Sequence, residues 1–110
     1  ERRLTSRKHW IAFTLRPHGQ IHLDQGAVDA LTKRGKSLLA SGILQVTGSF
    51  EAGDPVSCLD TDGKEFAKGL VNVSSDLLGQ MKGLKTTDIQ AQFGPQEYEE
   101  VIHRDNLVIL

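Results

Sequence analysis

The sequence predicts a mainly β domain: a small barrel of short mixed strands, with one helix near residues 25–34 and short helices toward the C-terminal end. Three observations carry this prediction. Short apolar stretches recur between turn-forming clusters at Pro17-His18-Gly19, Glu51-Ala52-Gly53-Asp54 and Asp60-Thr61-Asp62-Gly63. One segment, from Asp24 to Gly35, has helical spacing with a boundary signal at each end. No strand–helix–strand alternation is sustained, which argues against a doubly wound nucleotide-binding sheet.

Taken in order, residues 1–9 are polar and basic and read as linker. Trp10 to Leu15 is apolar enough for a strand, so residues 1–18 read as linker plus junction strand. Ile21 and Leu23 alternate with polar neighbours and predict a strand over 20–24. Asp24 is placed to cap the next helix by accepting from a free backbone N–H of its first turn. Ala27, Val28 and Leu31 follow at helical spacing. Lys33 and Arg34 fall in the last turn, where the helix dipole favours cations, and Gly35 supplies a left-handed stop.

Strands are expected again over about 43–48, 55–60 and 64–73. The Asp62-Gly63 pair marks a hairpin between the last two. Gly69 inside a strand predicts a close backbone approach of the kind a tight barrel needs. Ser74 or Ser75 is placed to cap a short helix through about Met81. Thr87 and Gln90 have the spacing of a capping box opening another helix near 88–92. The ending Leu107-Val108-Ile109-Leu110 reads as a short strand or buried tail. The main domain is thus expected over 19–96, with 97–110 as a C-terminal tail.

The 110 residues suit one domain, and 38% hydrophobic with 25% charged residues is the composition of a folded chain, not a disordered one. No apolar run approaches the roughly 20 residues a spanning helix requires. The chain opens on Glu1-Arg2-Arg3 without an initiator Met, as expected of part of a longer protein. Cys58 is the only cysteine, so it has no internal disulfide partner, and structural zinc sites use more than one thiolate. Alternation puts it on the same strand face as Val56, the face expected to be buried. This suits a reducing cytoplasm.

Net charge is −1, without a global pull toward nucleic acid. The distribution is uneven. Residues 1–40 hold eight Lys/Arg against three Asp/Glu, and residues 41–110 hold five against eleven. An asymmetry of this kind marks either an interaction surface or a solvated linker beside a domain.

Several motifs fail on inspection. Gly35-Lys36-Ser37 resembles the end of a phosphate loop, but Ala30 stands where the first glycine belongs, and the triplet follows a helix. His103-Arg104-Asp105 matches a kinase catalytic-loop triplet, yet Leu110 stands where the magnesium-binding asparagine belongs. Residues 60–65 have glycine at the wrong position for a calcium loop, and Val71 replaces its twelfth-position glutamate. His9, His18, His22 and His103 are too scattered to nominate a metal site. Glu99 and Glu100 read as an exposed acidic face. No catalytic constellation emerges, and no cofactor is expected for these residues.

Six segments carry a family resemblance: RKHWIAFTL (7–15), DQGAVDAL (24–31), GKSLL (35–39), GSFEAGD (48–54), AKGLVN with the following serines (67–75), and VIHRDNLVIL (101–110). The central ones are similar to PUA domains in general. The first and last resemble the C-terminal PUA domain of the glutamate 5-kinase family. Val73, where an aromatic is common, and FGPQEYEE (93–100) depart from that pattern.

The resemblance implies a PUA-type pseudo-barrel. It also implies a cytoplasmic, homo-oligomeric parent enzyme that moves the γ-phosphoryl of ATP to the side-chain carboxylate of glutamate. That parent uses magnesium, serves proline biosynthesis and is inhibited by proline. Its catalytic residues would lie in an amino-acid-kinase domain N-terminal to this segment, which is the implied partner. The expected role here is regulatory or architectural. The alternative is RNA binding along the first helix and adjoining barrel edge, which would use Arg16, His18, Lys33, Arg34 and Lys36. No membrane partner is implied.

Overall fold

The computed structural model describes residues 6–110. Among them, five strands form one sheet: β1 (Gly19–Leu23), β2 (Ile43–Gly48), β3 (Pro55–Leu59), β4 (Glu65–Leu70) and β5 (Leu107–Ile109). Their order across the sheet is β2-β1-β3-β4-β5. β1 and β3 run parallel, and the other neighbours are antiparallel. The mainly β class of short mixed strands therefore holds, in the form of a single five-stranded sheet. Helices α1 (Ser6–Phe13), α2 (Gln25–Arg34), α3 (Ser75–Met81) and α4 (Thr86–Phe93) accompany it.

The local signals explain most elements. Asp24 accepts a 2.8 Å hydrogen bond from the Ala27 amide and opens α2. Gly35 closes it at φ 61°, with its own N–H and that of Lys36 both donating to the Ala30 carbonyl. Ser74 caps α3 by accepting from the Leu77 amide. At the β3–β4 hairpin, the Asp60 side chain accepts from the amides of Asp62 and Lys64, and Gly63 takes φ 80°. Gly69 is a close approach as expected: a Cβ there would lie 2.8 Å from Ile102 Cγ2 and 2.9 Å from the Asn106 carbonyl.

Three expectations are corrected. The strand expected over Trp10–Leu15 is the helix α1. Ile11 and Ala12, with Leu15 just past the helix end, form an apolar stripe hidden inside what looks like a continuous apolar run. That stripe packs on Val108 and Leu70 as a second apolar cluster. Secondly, Thr87 does not open a capping box. α4 begins at Thr86 after Lys85, whose side chain makes no cap, two residues before the start that a Thr87 cap would give. Thirdly, β4 ends at Leu70 instead of running to 73, since Val71 turns away to exchange backbone bonds with Gly53 and Asp54. Residues 1–5 of the expected linker lie outside the described residues.

The main core gathers Ile21, Leu23, Ile43, Phe50, Val56, Cys58, Leu78 and Ile102, each 2% exposed or less. Residues 97–110, set apart in sequence as a tail, help to close it with Val101, Ile102 and Leu107. Strand alternation then sends Val108 to the other side of the sheet, where α1 sits. Lys68 of β4 fixes α1 there. Its Nζ donates to the carbonyls of Ala12 and Leu15, 3.1 Å each, satisfying acceptors that the helix end leaves open.

Candidate functional site

A groove of about 730 Å³ runs between α2, the loop over 35–42 and the segment over 99–104. Backbone bonds hold its two loop walls together. Leu38 donates to the Ile102 carbonyl at 2.9 Å, and Val101 donates to the Leu38 carbonyl at 2.7 Å. The Arg104 amide donates to Ser37 Oγ at 2.8 Å, and Asn72 Nδ2 donates to the Glu100 carbonyl at 3.0 Å. Leu31 and Leu38, both buried, supply apolar lining. Arg34, Lys36, His103 and Arg104 line the groove together with Asp24, Glu99 and Glu100. Three permanent cations thus meet three carboxylates, and the groove has no net charge.

The structure separates the five residues singled out for nucleic acid. Arg34 and Lys36 line the groove. Lys33 instead turns to Asp29, one helical turn away at 3.4 Å, and both side chains remain solvated. The Asp29 carboxyl is held below its usual range first by the hydrogen bond from Gln25, with Lys33 and then Arg34 adding to it. His18 lies beside a different pocket, with Gly19, Gln20, Thr47 and Ser57, which shares no lining residue with the groove. Its Nδ1 stands 3.0 Å from Asp54 Oδ2. The Asp54 carboxyl is lowered first by the Glu51 amide, which donates to it at 2.8 Å, and next by His18. Arg16 is exposed and lines neither pocket.

His103, Arg104, Glu99 and Glu100 enter the groove without having been singled out as a site. In sequence, the histidine and arginine read as a coincidental triplet and the glutamates as an exposed acidic face. Only the place of residues 101–110 among the resemblance-bearing segments could have flagged the first two. His103 Nδ1 accepts from the Asp105 amide at 3.1 Å and lies 3.5 Å from the Asp105 carboxylate. Among the described residues, no three His, Cys, Asp or Glu side chains gather where they could hold a metal ion. No helix of the described residues is long and apolar enough to cross a membrane.

Cys58 is fully buried on β3, and burial, with the Glu65 charge adding to it, pushes its thiol up to about 12. The thiolate is the reactive form, so the native protein is expected to resist thiol reagents at pH 8 and to react once unfolded. Mass spectrometry of the alkylated protein with and without urea checks this. Rapid modification under native conditions would show that β3 opens.

The described residues form a small mixed sheet flanked by short helices, with a solvent-open groove beside α2. The chain belongs to the PUA domain family, whose model matches residues 19–93. It is 52% identical over 107 residues to a glutamate 5-kinase of Syntrophus aciditrophicus, covering 97% of this chain and 28% of that enzyme. With the glutamate 5-kinase of Dictyoglomus thermophilum it shares 47% over 110 residues, all of this chain and 30% of the relative. The chain therefore spans less than a third of the curated relatives it matches. Among solved structures, it is similar to a PUA domain from Aeropyrum pernix K1 in its tartrate complex. That match has a TM-score of 0.55 and 26% identity, and covers 79% of this chain and 43% of the other. A conserved PUA domain protein from Thermoplasma acidophilum shares the fold at a TM-score of 0.51 and 17% identity, over 91% of this chain and 57% of the other.

Proposed function

We propose that these residues form the accessory domain, regulatory or architectural, of a cytoplasmic glutamate 5-kinase. The parent would transfer the γ-phosphoryl of ATP, with magnesium, to the side-chain carboxylate of glutamate, the opening step of proline biosynthesis. One observation carries the reading. Similarity to the kinases runs over 97% of this chain yet accounts for only 28% of the Syntrophus relative. The remaining length is room for a separate catalytic domain, which in this reading lies N-terminal to these residues.

The test divides the parent into its two parts. ATP- and glutamate-dependent phosphorylation should be retained by the parent lacking these 110 residues and absent from the 110 residues alone. Turnover by the 110 residues alone would overturn the proposal.

A second reading, RNA binding, has one specific observation in its favour. Arg34, Lys36 and Arg104 line one groove, and none of them pairs with a carboxylate within 4.0 Å among the described residues. Three phosphates neutralised there would make log K fall with log salt at a slope of about −2 to −3. It stands second because Asp24, Glu99 and Glu100 share the groove. Arg16, His18 and Lys33 would add to such a site only from elsewhere on the surface. Titration with a labelled structured RNA at two salt concentrations checks it. Loss of binding on charge removal at Arg34, Lys36 and Arg104 would support it, and no binding at low salt would end it.

A further inference from the structure

We infer that the outward face of α1, carried by Trp10 and Phe13, is the surface on which the remainder of the parent chain docks. This rests on the accessory-domain reading above. Among the described residues, α1 is held from one side. Ile11 and Ala12 are buried against Val108, with Leu15 and Leu70 packed around them, and Lys68 ties down the C-terminal carbonyls. The opposite side presents Trp10 at 48% and Phe13 at 71% exposure, one helical turn apart. The His9 ring lies 4.8 Å from that of Phe13, extending the same surface.

An eight-residue helix is too short to persist in water without packing, so the sheet contacts are what hold it. The result is a fixed platform for two large rings, the side-chain type that most often anchors protein contacts. Exposed large apolar residues elsewhere, such as Leu44, Tyr98 and Leu110, are scattered over other elements.

Area decides between the candidate occupants. Full side-chain areas of about 150–250 Å² give the two rings roughly 250 Å² of available surface at these exposures. A symmetric pairing of two copies through this face would bury about 500 Å², well short of the roughly 1,200 Å² of a stable free interface. A partner in the same chain needs far less, because the covalent link supplies an effective concentration in the millimolar range. At least 70% of the length of the relatives above lies outside the matched region, so such a partner is at hand.

The test uses the intact parent chain carrying either Phe13→Cys or Tyr98→Cys, with thiol modification rates read peptide by peptide. Tyr98 is 51% exposed and lines a pocket with residues of α3 and α4, so it is the reference. Docking predicts that the thiol of Phe13→Cys reacts at least about tenfold more slowly, even though Phe13 is the more exposed in the domain. Equal rates would overturn the inference. So would protection that disappears on dilution, which would place a second copy on this face. Cys58 reports folding in each sample, and Trp10→Cys reads the same face if Phe13→Cys makes Cys58 reactive. The accessory reading is judged separately by the divided-parent assay, so equal labelling rates would reject this surface alone.

Discussion

Phe50→Ala is expected to destabilise the domain by about 3–5 kcal/mol, the range for deleting a fully buried aromatic ring. Phe50 is 2% exposed and lies in the main core, just after β2. Its ring packs so closely on β1 that a Cβ at Gly19 would sit 2.7 Å from Phe50 Cδ2. Its backbone is separately tied to the start of α3, where its carbonyl accepts from the Ser75 amide at 2.9 Å and its amide donates to Ser75 Oγ at 3.1 Å. Those bonds survive the substitution. The loss is therefore apolar burial plus the cavity left behind, which neither the sheet nor α3 is free to fill. Against a total stability of roughly 5–15 kcal/mol, little would remain. Phe13→Ala is the matched control. The same deletion at 71% exposure should change the stability of this chain by no more than about 0.5 kcal/mol. Urea unfolding of both variants measures the difference, and similar midpoints would contradict the packing described.

Gly48→Ala is expected to be the most damaging glycine substitution at the β1–β2 end of the sheet. Gly48 pairs with Gly19 and takes φ 86°, where an L-residue costs about 1–2 kcal/mol. Its Cβ would also lie 2.7 Å from Gly19 Cα and 2.8 Å from the His18 carbonyl. Both obstacles are backbone, so relief requires β1 and β2 to separate. The cost should reach about 3 kcal/mol or more, in the range of overpacking added to backbone strain. Gly63→Ala isolates the backbone part and leaves the steric part as the difference. Gly63 has a similar φ of 80° with nothing within 4 Å of an added Cβ, so only the backbone cost applies. Equal losses at Gly48 and Gly63 would mean that the close approach is not real.

These two sites show where the sequence was legible. α2 could be read to the residue because its cap, its terminal cations and its stop are all local to residues 24–35. The strands were equally clear wherever an Asp-Gly or Gly-Asp turn bounded them. The close approach at Gly69 could be anticipated from a glycine inside a strand, but its partners Ile102 and Asn106 could not. α1 was misread because an apolar run carries no periodicity of its own. What makes it a helix is a sheet face far along the chain, with Lys68 and Val108 waiting for it. The parallel pairing of β1 with β3 passes over β2 and leaves no local trace. The candidate groove was half legible for the same reason. Arg34 and Lys36 follow from the helix end, whereas His103 and Arg104 reach it only through the backbone bridge between Leu38 and Ile102. Arg16 and His18 were grouped with them on an expected barrel edge, and the structure puts His18 at another pocket.

The measurement that bears most directly on the accessory role compares the intact parent with the parent lacking these 110 residues, by analytical ultracentrifugation and by proline inhibition of glutamate phosphorylation. A regulatory or architectural domain predicts that deletion changes the assembled mass, shifts the inhibition curve, or does both, while turnover persists. Unchanged mass and an unchanged inhibition curve would contradict the account and leave the domain without a part in either.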